Sequence, residues 1–401
     1  MNIIQKCNAY KIKDSRGEET LEVEISTAKC TSWAAVPAGK STGSREVVAL
    51  PTGGAIEKVN KIIAPEIIGK EVNFKQIDKL LLSLDGTENK SNLGANSILG
   101  VSIAILKLEA KIAQMPLWKY IQSCGYPTST VFKSGVFPRL FVNVLNGGVH
   151  AGFRLSIQEH MFVLGNGQNI AGPIRQMQTL FEQLEKKLIS DGWDFVMGDE
   201  GGFSIATADV EEPFRILSAL HNKIAIDVAA GEFYKNGKYL VGEKEYSSEE
   251  LRGLYEDLIK KYPLVSIEDP FAENDFEGFK NLVTSVGVLP LQREVLVVGD
   301  DLTTTNPKMI EKSINEKMLN TVLVKPNQIG TVSETLEAIE MTHKAGLKTI
   351  ISHRSGETMD SFIADLAVGV GAYGLKAGTM HQAERKEKYD RLLEIEKEMA
   401  E

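Results

Sequence analysis

Five short apolar runs in the second half of the chain each end in a charged or imidazole side chain. That repetition restricts the fold more than anything else in the sequence. Ile224-Ala225-Ile226 runs into Asp227, Val265-Ser266-Ile267 into Glu268 and Asp269, and Val295-Leu296-Val297-Val298-Gly299 into Asp300. Thr321-Val322-Leu323-Val324 ends in Lys325, and Thr349-Ile350-Ile351-Ser352 ends in His353. Short, mostly β-branched runs between turn signals read as strands buried on both faces. The polar tips follow one another at intervals of 41, 32, 25 and 28 residues. A (β/α)₈ barrel uses roughly 250 residues for eight units, so about 30 for each. The C-terminal strand ends of such a barrel converge on one mouth, where its chemistry sits. Three acids, a lysine and a histidine gathered there read as a metal site beside a base.

The rest of the chain fits around that barrel. Residues 1–31 hold two apolar alternations separated by the turn Asp14-Ser15-Arg16-Gly17, which predicts antiparallel strands. Val36 to Ser44 is small and hydroxylated and reads as a mobile loop. Its Gly39-Lys40-Ser41 resembles the end of a phosphate-binding P-loop, but Ala34 stands where that motif needs glycine. From Ala55 to Gln122 apolar residues recur at helical spacing, so the first unit, 1–130, is α+β. The larger unit, 131–401, opens on the strand Leu140 to Leu145 and a second strand from Arg154 to Val163. Helices are predicted over 174–188, 248–260, 306–318 and 331–345. Asp199-Glu200 lies between glycines with no core reason to be there. Gly369 to Gly374 matches a dinucleotide fingerprint on paper, but in reversed context, and reads as a helix-to-strand turn. Ala383 to Met399 reads as a charged helix supported by Glu384/Lys388 and Glu387/Arg391 at i, i+4.

Composition excludes several classes. A net charge of −9 argues against a general nucleic-acid surface. Three widely spaced cysteines (Cys7, Cys30, Cys124) fit neither a disulfide framework nor a zinc pattern, which points to a reducing, cytoplasmic setting. No signal peptide or membrane span is expected.

The motifs Asp14 to Gly17, Gly39 to Gly43, Ser83 to Thr87, Asn143 to Gly152, Gly198 to Gly202, Ser266 to Glu273, Lys325 to Gly330 and Ser352 to Thr358, with Lys376, run in the order of one family. The sequence resembles an enolase over essentially its whole length. The resemblance implies an N-terminal α+β capping domain and a C-terminal ββαα(βα)₆ barrel. It implies Mg²⁺-dependent, reversible dehydration of 2-phosphoglycerate to phosphoenolpyruvate, with two Mg²⁺ ions, the second arriving with substrate. Asp227, Glu268 and Asp300 would hold the first ion, and Ser41 would join the substrate phosphate at the second. Lys325 would be the base and Glu200 the acid, with Glu159 beside it. Lys376 would meet the substrate carboxylate, Arg354 and Ser355 the phosphate, and His150, Gln158 and His353 would line the pocket. A homodimer or larger homo-oligomer is implied as well.

These residue types suit the chemistry. Removing a proton α to a carboxylate places a second negative charge on the same group, which concentrated positive charge must meet. All-oxygen carboxylate ligands suit a hard ion. Lysine acts as a base only when its ammonium is disfavoured, and nearby Mg²⁺ and Lys376 would lower its pKa. Departing hydroxide calls for a protonated carboxylic acid, which paired glutamates provide. Four positions differ from the family pattern: Lys40, Pro326, Gly299 where alanine is common, and Thr379-Met380-His381-Gln382 in place of a segment ending in arginine. Lys40 and Gln382 alter charge near the mouth. Two other readings therefore stay open: an enolase-fold paralogue acting on a related phosphorylated or phosphonylated acid, and a non-catalytic binding protein.

Overall fold

Eight strands close on themselves among the residues described by the computed structural model, which are 2–40, 43–125, 136–148, 155–198, 200–290 and 293–400. In chain order they are Arg139–Asn146, Glu159–Leu164, Ile224–Asp227, Leu264–Glu268, Leu296–Gly299, Thr321–Val324, Lys348–Ser352 and Gly374–Lys376. Neighbours in sequence pair with one another, and Gly374 pairs with Arg139 to shut the barrel. The second strand runs antiparallel to both of its neighbours, whereas the other pairings between barrel strands are parallel. Two helices, Ala171–Ser190 and Glu212–Ser218, follow it before strand–helix alternation begins. This is the ββαα(βα)₆ order. The second strand is shorter than the periodicity predicted, starting at Glu159, and it is buried throughout instead of alternating. It lies between two strands with helices outside, so neither face meets water.

Side chains alternate in and out along each strand. Phe141, Met161, Ala225, Val298, Leu323 and Ile350 form an apolar cluster of their own inside the barrel. Two residues further on, the same inward face reaches Asn143, Asp227, Asp300, Lys325 and Ser352. On the reversed strand, two residues back from Met161 is Glu159. The apolar floor and the polar mouth are one continuous pattern.

The N-terminal sheet is Lys6–Lys13, Glu19–Ser26 and Thr31–Ala35, all antiparallel. The helix Ala95–Ile112 is buried on nearly every face, as a helix apolar all round must be. A Cβ at Gly100 would lie 2.6 Å from Val23, so glycine lets helix and sheet approach. The two units meet through paired backbone bonds between Ala38 and Gly356, both 2.9 Å, and through Lys107 to Asp360 at 2.6 Å.

A second junction involves the helix Phe74–Asp85. Asp78 accepts from the Ser333 amide at 2.9 Å and from its hydroxyl at 2.6 Å. Burial pushes the Asp78 carboxyl up to about 6 from 3.8. A group that holds its proton more tightly folded than unfolded favours the folded chain as pH falls through that window and penalises it above. Asp78→Asn should thus stabilise the chain at neutral pH by at most about 3 kcal/mol. The gain should disappear by about pH 4, as read from urea unfolding midpoints.

Candidate active site

The barrel mouth is a cleft of about 530 Å³ in which eight carboxylates (Glu46, Glu159, Glu200, Asp227, Glu232, Asp269, Asp300, Asp301) face Lys40, Lys325, Arg354 and Lys376. Pairing of the strands Leu264–Glu268 and Ile224–Asp227 sets Glu268 beside Asp227. Lys376 reaches between them from the last barrel strand. Its Nζ lies 3.0 Å from Asp227, 2.9 Å from Glu268 and 3.1 Å from Glu159. The Lys325 ammonium pairs with the Asp300 carboxylate, whose other oxygen accepts from Gln328 at 2.9 Å.

Charge and burial set the protonation here. Burial, then the neighbouring Asp227, pushes Glu268 well above the usual carboxylate range. Burial and Glu200 do the same to Glu159. Burial opposes the Asp300 anion, but Lys325 outweighs it and holds that pKa low. Burial also opposes the Lys376 ammonium, yet Asp227 and its fellow acids raise its pKa well above normal. Lys325 shows the same balance. Burial does act against its ammonium, but the Asp300 carboxylate prevails and the shift is upward.

Sequence reasoning missed Asp269. Its oxygens accept from the backbone amides of Asp300 and Asp301, at 3.0 and 2.7 Å. It stands at a left-handed φ of 40°, as do Ala229 at 46°, Thr304 at 46° and Thr305 at 55°. Non-glycine residues held there store backbone strain, typically about 1–3 kcal/mol each. All four flank the mouth, so the turns after three adjacent strands are held in place for a geometry. The acidic doublets Glu268-Asp269 and Asp300-Asp301 were the available signal. Among the described residues, oxygens of Asp269, Asp300 and Asp301 lie within 4.8 Å of one another. Burial and Asp300 push Asp301 up to about 7.

The donor set fits a hard divalent cation. It is all oxygen, buried, and carries negative charge in excess of the cations that face it. Asp227 and Asp300 line the mouth, and Glu268 pairs with the Lys376 that reaches into it. The proposed acid is close by: Asn143 donates to Glu200 at 3.0 Å, and His353 Nε2 lies 3.7 Å from the same oxygen. Gln158 lines the cleft. Ser41, His150 and Asp199 lie outside the described residues.

Arg354 and Ser355 occupy the rim against the N-terminal unit. Glu46, which the sequence did not single out, holds Arg354 Nη1 at 2.9 Å and Nη2 at 3.1 Å. The Ser355 hydroxyl accepts from the Lys40 amide at 2.7 Å. Two departures from the family pattern have local reasons. Pro326 opens the helix Pro326–Ile329, where its missing N–H costs nothing. A Cβ at Gly299 would meet Leu319 at 2.9 Å. His160 and His343 are buried, and His381 packs on Phe181 with ring centroids 4.2 Å apart.

Residues 4–121 match the family described as enolase, N-terminal domain, and residues 134–401 match enolase, C-terminal TIM barrel domain. The chain belongs to the enolase family. A protein named Enolase from Thermococcus gammatolerans is 44% identical over 417 residues, covering 98% of this chain and 94% of that one. Another from Pyrococcus furiosus is 43% identical, with the same coverage. One from Elusimicrobium minutum is 41% identical across 100% of this chain and 97% of its own length. Enolases are magnesium-dependent and act on a small phosphorylated acid. No helix among the described residues is long and apolar enough to cross a membrane.

Proposed function

We infer that this enolase-family chain is a lyase that interconverts 2-phosphoglycerate and phosphoenolpyruvate with Mg²⁺. What carries the reading is one buried mouth lined by Lys325, Glu200, Asp227 and Asp300, with Glu268 paired to the Lys376 of the same cleft. Asp227, Glu268 and Asp300 would hold the first ion, with Ser41 at a second that arrives with substrate. Bound Mg²⁺ supplies positive charge to the substrate carboxylate as its α-carbon loses a proton.

The chain's own groups do the rest. Lys325 takes the α-proton onto Nζ. Glu200, hydrogen-bonded by Asn143, delivers a proton to the departing hydroxyl. Glu159, held above the carboxylate range, keeps a proton beside it, and His353 borders the same oxygen. Lys376 meets the substrate carboxylate, Gln158 and His150 border it, and Arg354 and Ser355 receive the phosphate. Phosphate at Arg354 has to share or displace Glu46. We also propose a domain boundary between residues 130 and 131, supported by family matches that end at 121 and resume at 134. A cytoplasmic setting and a homodimer or larger homo-oligomer belong to the same reading.

The direct test follows the absorbance of the enol phosphate double bond as 2-phosphoglycerate is consumed with Mg²⁺. Robust turnover that EDTA abolishes is expected. Turnover absent despite bound Mg²⁺ would overturn the substrate assignment in favour of a related phosphorylated or phosphonylated acid. Failure to bind Mg²⁺ would leave a non-catalytic binding protein.

The rim offers a second test. A Cβ at Gly39 would fall 1.9 Å from Arg354 Nη2, so Gly39→Ala must displace that guanidinium. A lost hydrogen bond to a charged group is worth about 1.5–3 kcal/mol, so KM for 2-phosphoglycerate should rise roughly 10- to 100-fold. An unchanged KM would place the phosphate elsewhere.

A further inference from the structure

The helix Ala383–Ala400 is not the solvated charged helix its sequence suggests. Arg385 and Lys388 are fully buried. The expected i, i+4 side-chain pairs do not form. Lys388 meets Glu357 at 2.7 Å, and Arg391 pairs with Asp365 at 2.8 Å.

Arg385 differs from the other two, because none of its partners among the described residues is a carboxylate. Its Nε donates to Gln382 Oε1 at 2.6 Å and its Nη2 to the Ser355 carbonyl at 3.1 Å. Nη1 is 3.5 Å from the Arg354 carbonyl and sits against His353 Nδ1. Guanidinium is always protonated and only donates, so every group it touches must accept. An imidazole nitrogen accepts only without its proton, and then the ring's single proton is on the other nitrogen.

We propose that Arg385 is a positioning residue that fixes His353 as the neutral Nε2–H tautomer, aiming its one ring proton at Glu200. The inference rests on Glu200 being the acid of the reaction. Nε2 is 3.7 Å from the Glu200 oxygen that Asn143 already holds, a gap that a shift of about 0.7 Å closes to hydrogen-bond length. Both donors would then occupy one oxygen of Glu200.

Three further features build the cradle. Burial first, and the Arg385 charge in support, hold the His353 pKa well below normal, so the ring stays neutral. Gln382 supplies a neutral acceptor to Nε. Arginine at that position, the commoner residue in the family pattern, could not accept and would add a like charge. Gly378 leaves room for the arginine stem, since a Cβ there would lie 2.6 Å from Arg385 Cδ.

Long-range proton–nitrogen correlation NMR on the metal-free full chain reads the tautomer, with His353 assigned by loss of its signals in His353→Gln. A bare Nδ1 and a protonated Nε2 are expected from about pH 6 to 8. A protonated Nδ1 in the unmodified chain overturns the proposal whatever any variant does. Arg385→Met should give mixed tautomers and lower kcat about tenfold with KM little changed, whereas Arg385→Lys should restore both. Loss of kcat with the tautomer unchanged would make Arg385 merely structural and also overturn it. If the tautomer is as expected but 2-phosphoglycerate is not turned over, the substrate reading fails and this one stands.

Discussion

Replacing Lys325 with alanine should stop exchange of the substrate α-proton with solvent. It should also lower turnover by about 10³- to 10⁴-fold, the upper range for a lost general base. Lys325 closes an apolar strand and projects inward, where Asp300 is its partner and the barrel floor excludes water. Its ammonium is stabilised by that carboxylate and opposed by Arg354 and Lys376. Were a metal ion to take Asp300, the opposing cations would remain and the supporting anion would be withdrawn. Such a lysine can yield its proton. The companion variant Glu200→Gln keeps Lys325 and should still exchange the α-proton while dehydration falls by a similar factor. Proton exchange and phosphoenolpyruvate formation, measured on the same samples, separate the two. Equal exchange by both variants would mean that base and acid are wrongly assigned.

Glu268→Gln should weaken Mg²⁺ binding more than about 100-fold, since even groups behind a metal ligand are worth 10- to 100-fold. Its effect on the metal-free fold should be opposite. Burial and Asp227 raise the Glu268 pKa well above normal. An acid with a raised folded pKa costs stability once pH exceeds its unfolded value, and the cost is complete above the folded one. The amide removes that cost, and Lys376 keeps Asp227 and Glu159 as partners. In EDTA the variant should melt at or above the parent temperature, with the difference growing towards alkaline pH. Calorimetric Mg²⁺ titration and thermal melts together decide the matter. Weakened folding with metal affinity intact would make Glu268 a structural ion-pair partner.

The strand tips were readable because two local rules coincide there: apolar runs specify buried strands, and a charge at their end has few reasons to exist. Asp227, Glu268, Asp300 and Lys325 were legible for that reason. Asp269 was not, because its role is to hold two amides on the next strand, a contact set by register. Glu46 and Arg385 lie 308 and 31 residues from their partners Arg354 and Arg354's own carbonyl, and no local pattern marks either. The terminal helix shows the limit of i, i+4 reasoning: Lys388 reaches a buried carboxylate across the fold in preference to a neighbour one turn away. The antiparallel second strand was legible only through the family resemblance, since periodicity carries no direction.

The excess of carboxylates over cations at the mouth has a kinetic corollary. A phosphorylated acid arriving at the metal-free cleft meets a repulsive field that low-dielectric walls focus, and association in such a field is slowed. A small cation meets the reverse. The same side chains therefore impose a sequence of encounters, cation before anion, and added salt should blunt that preference by screening.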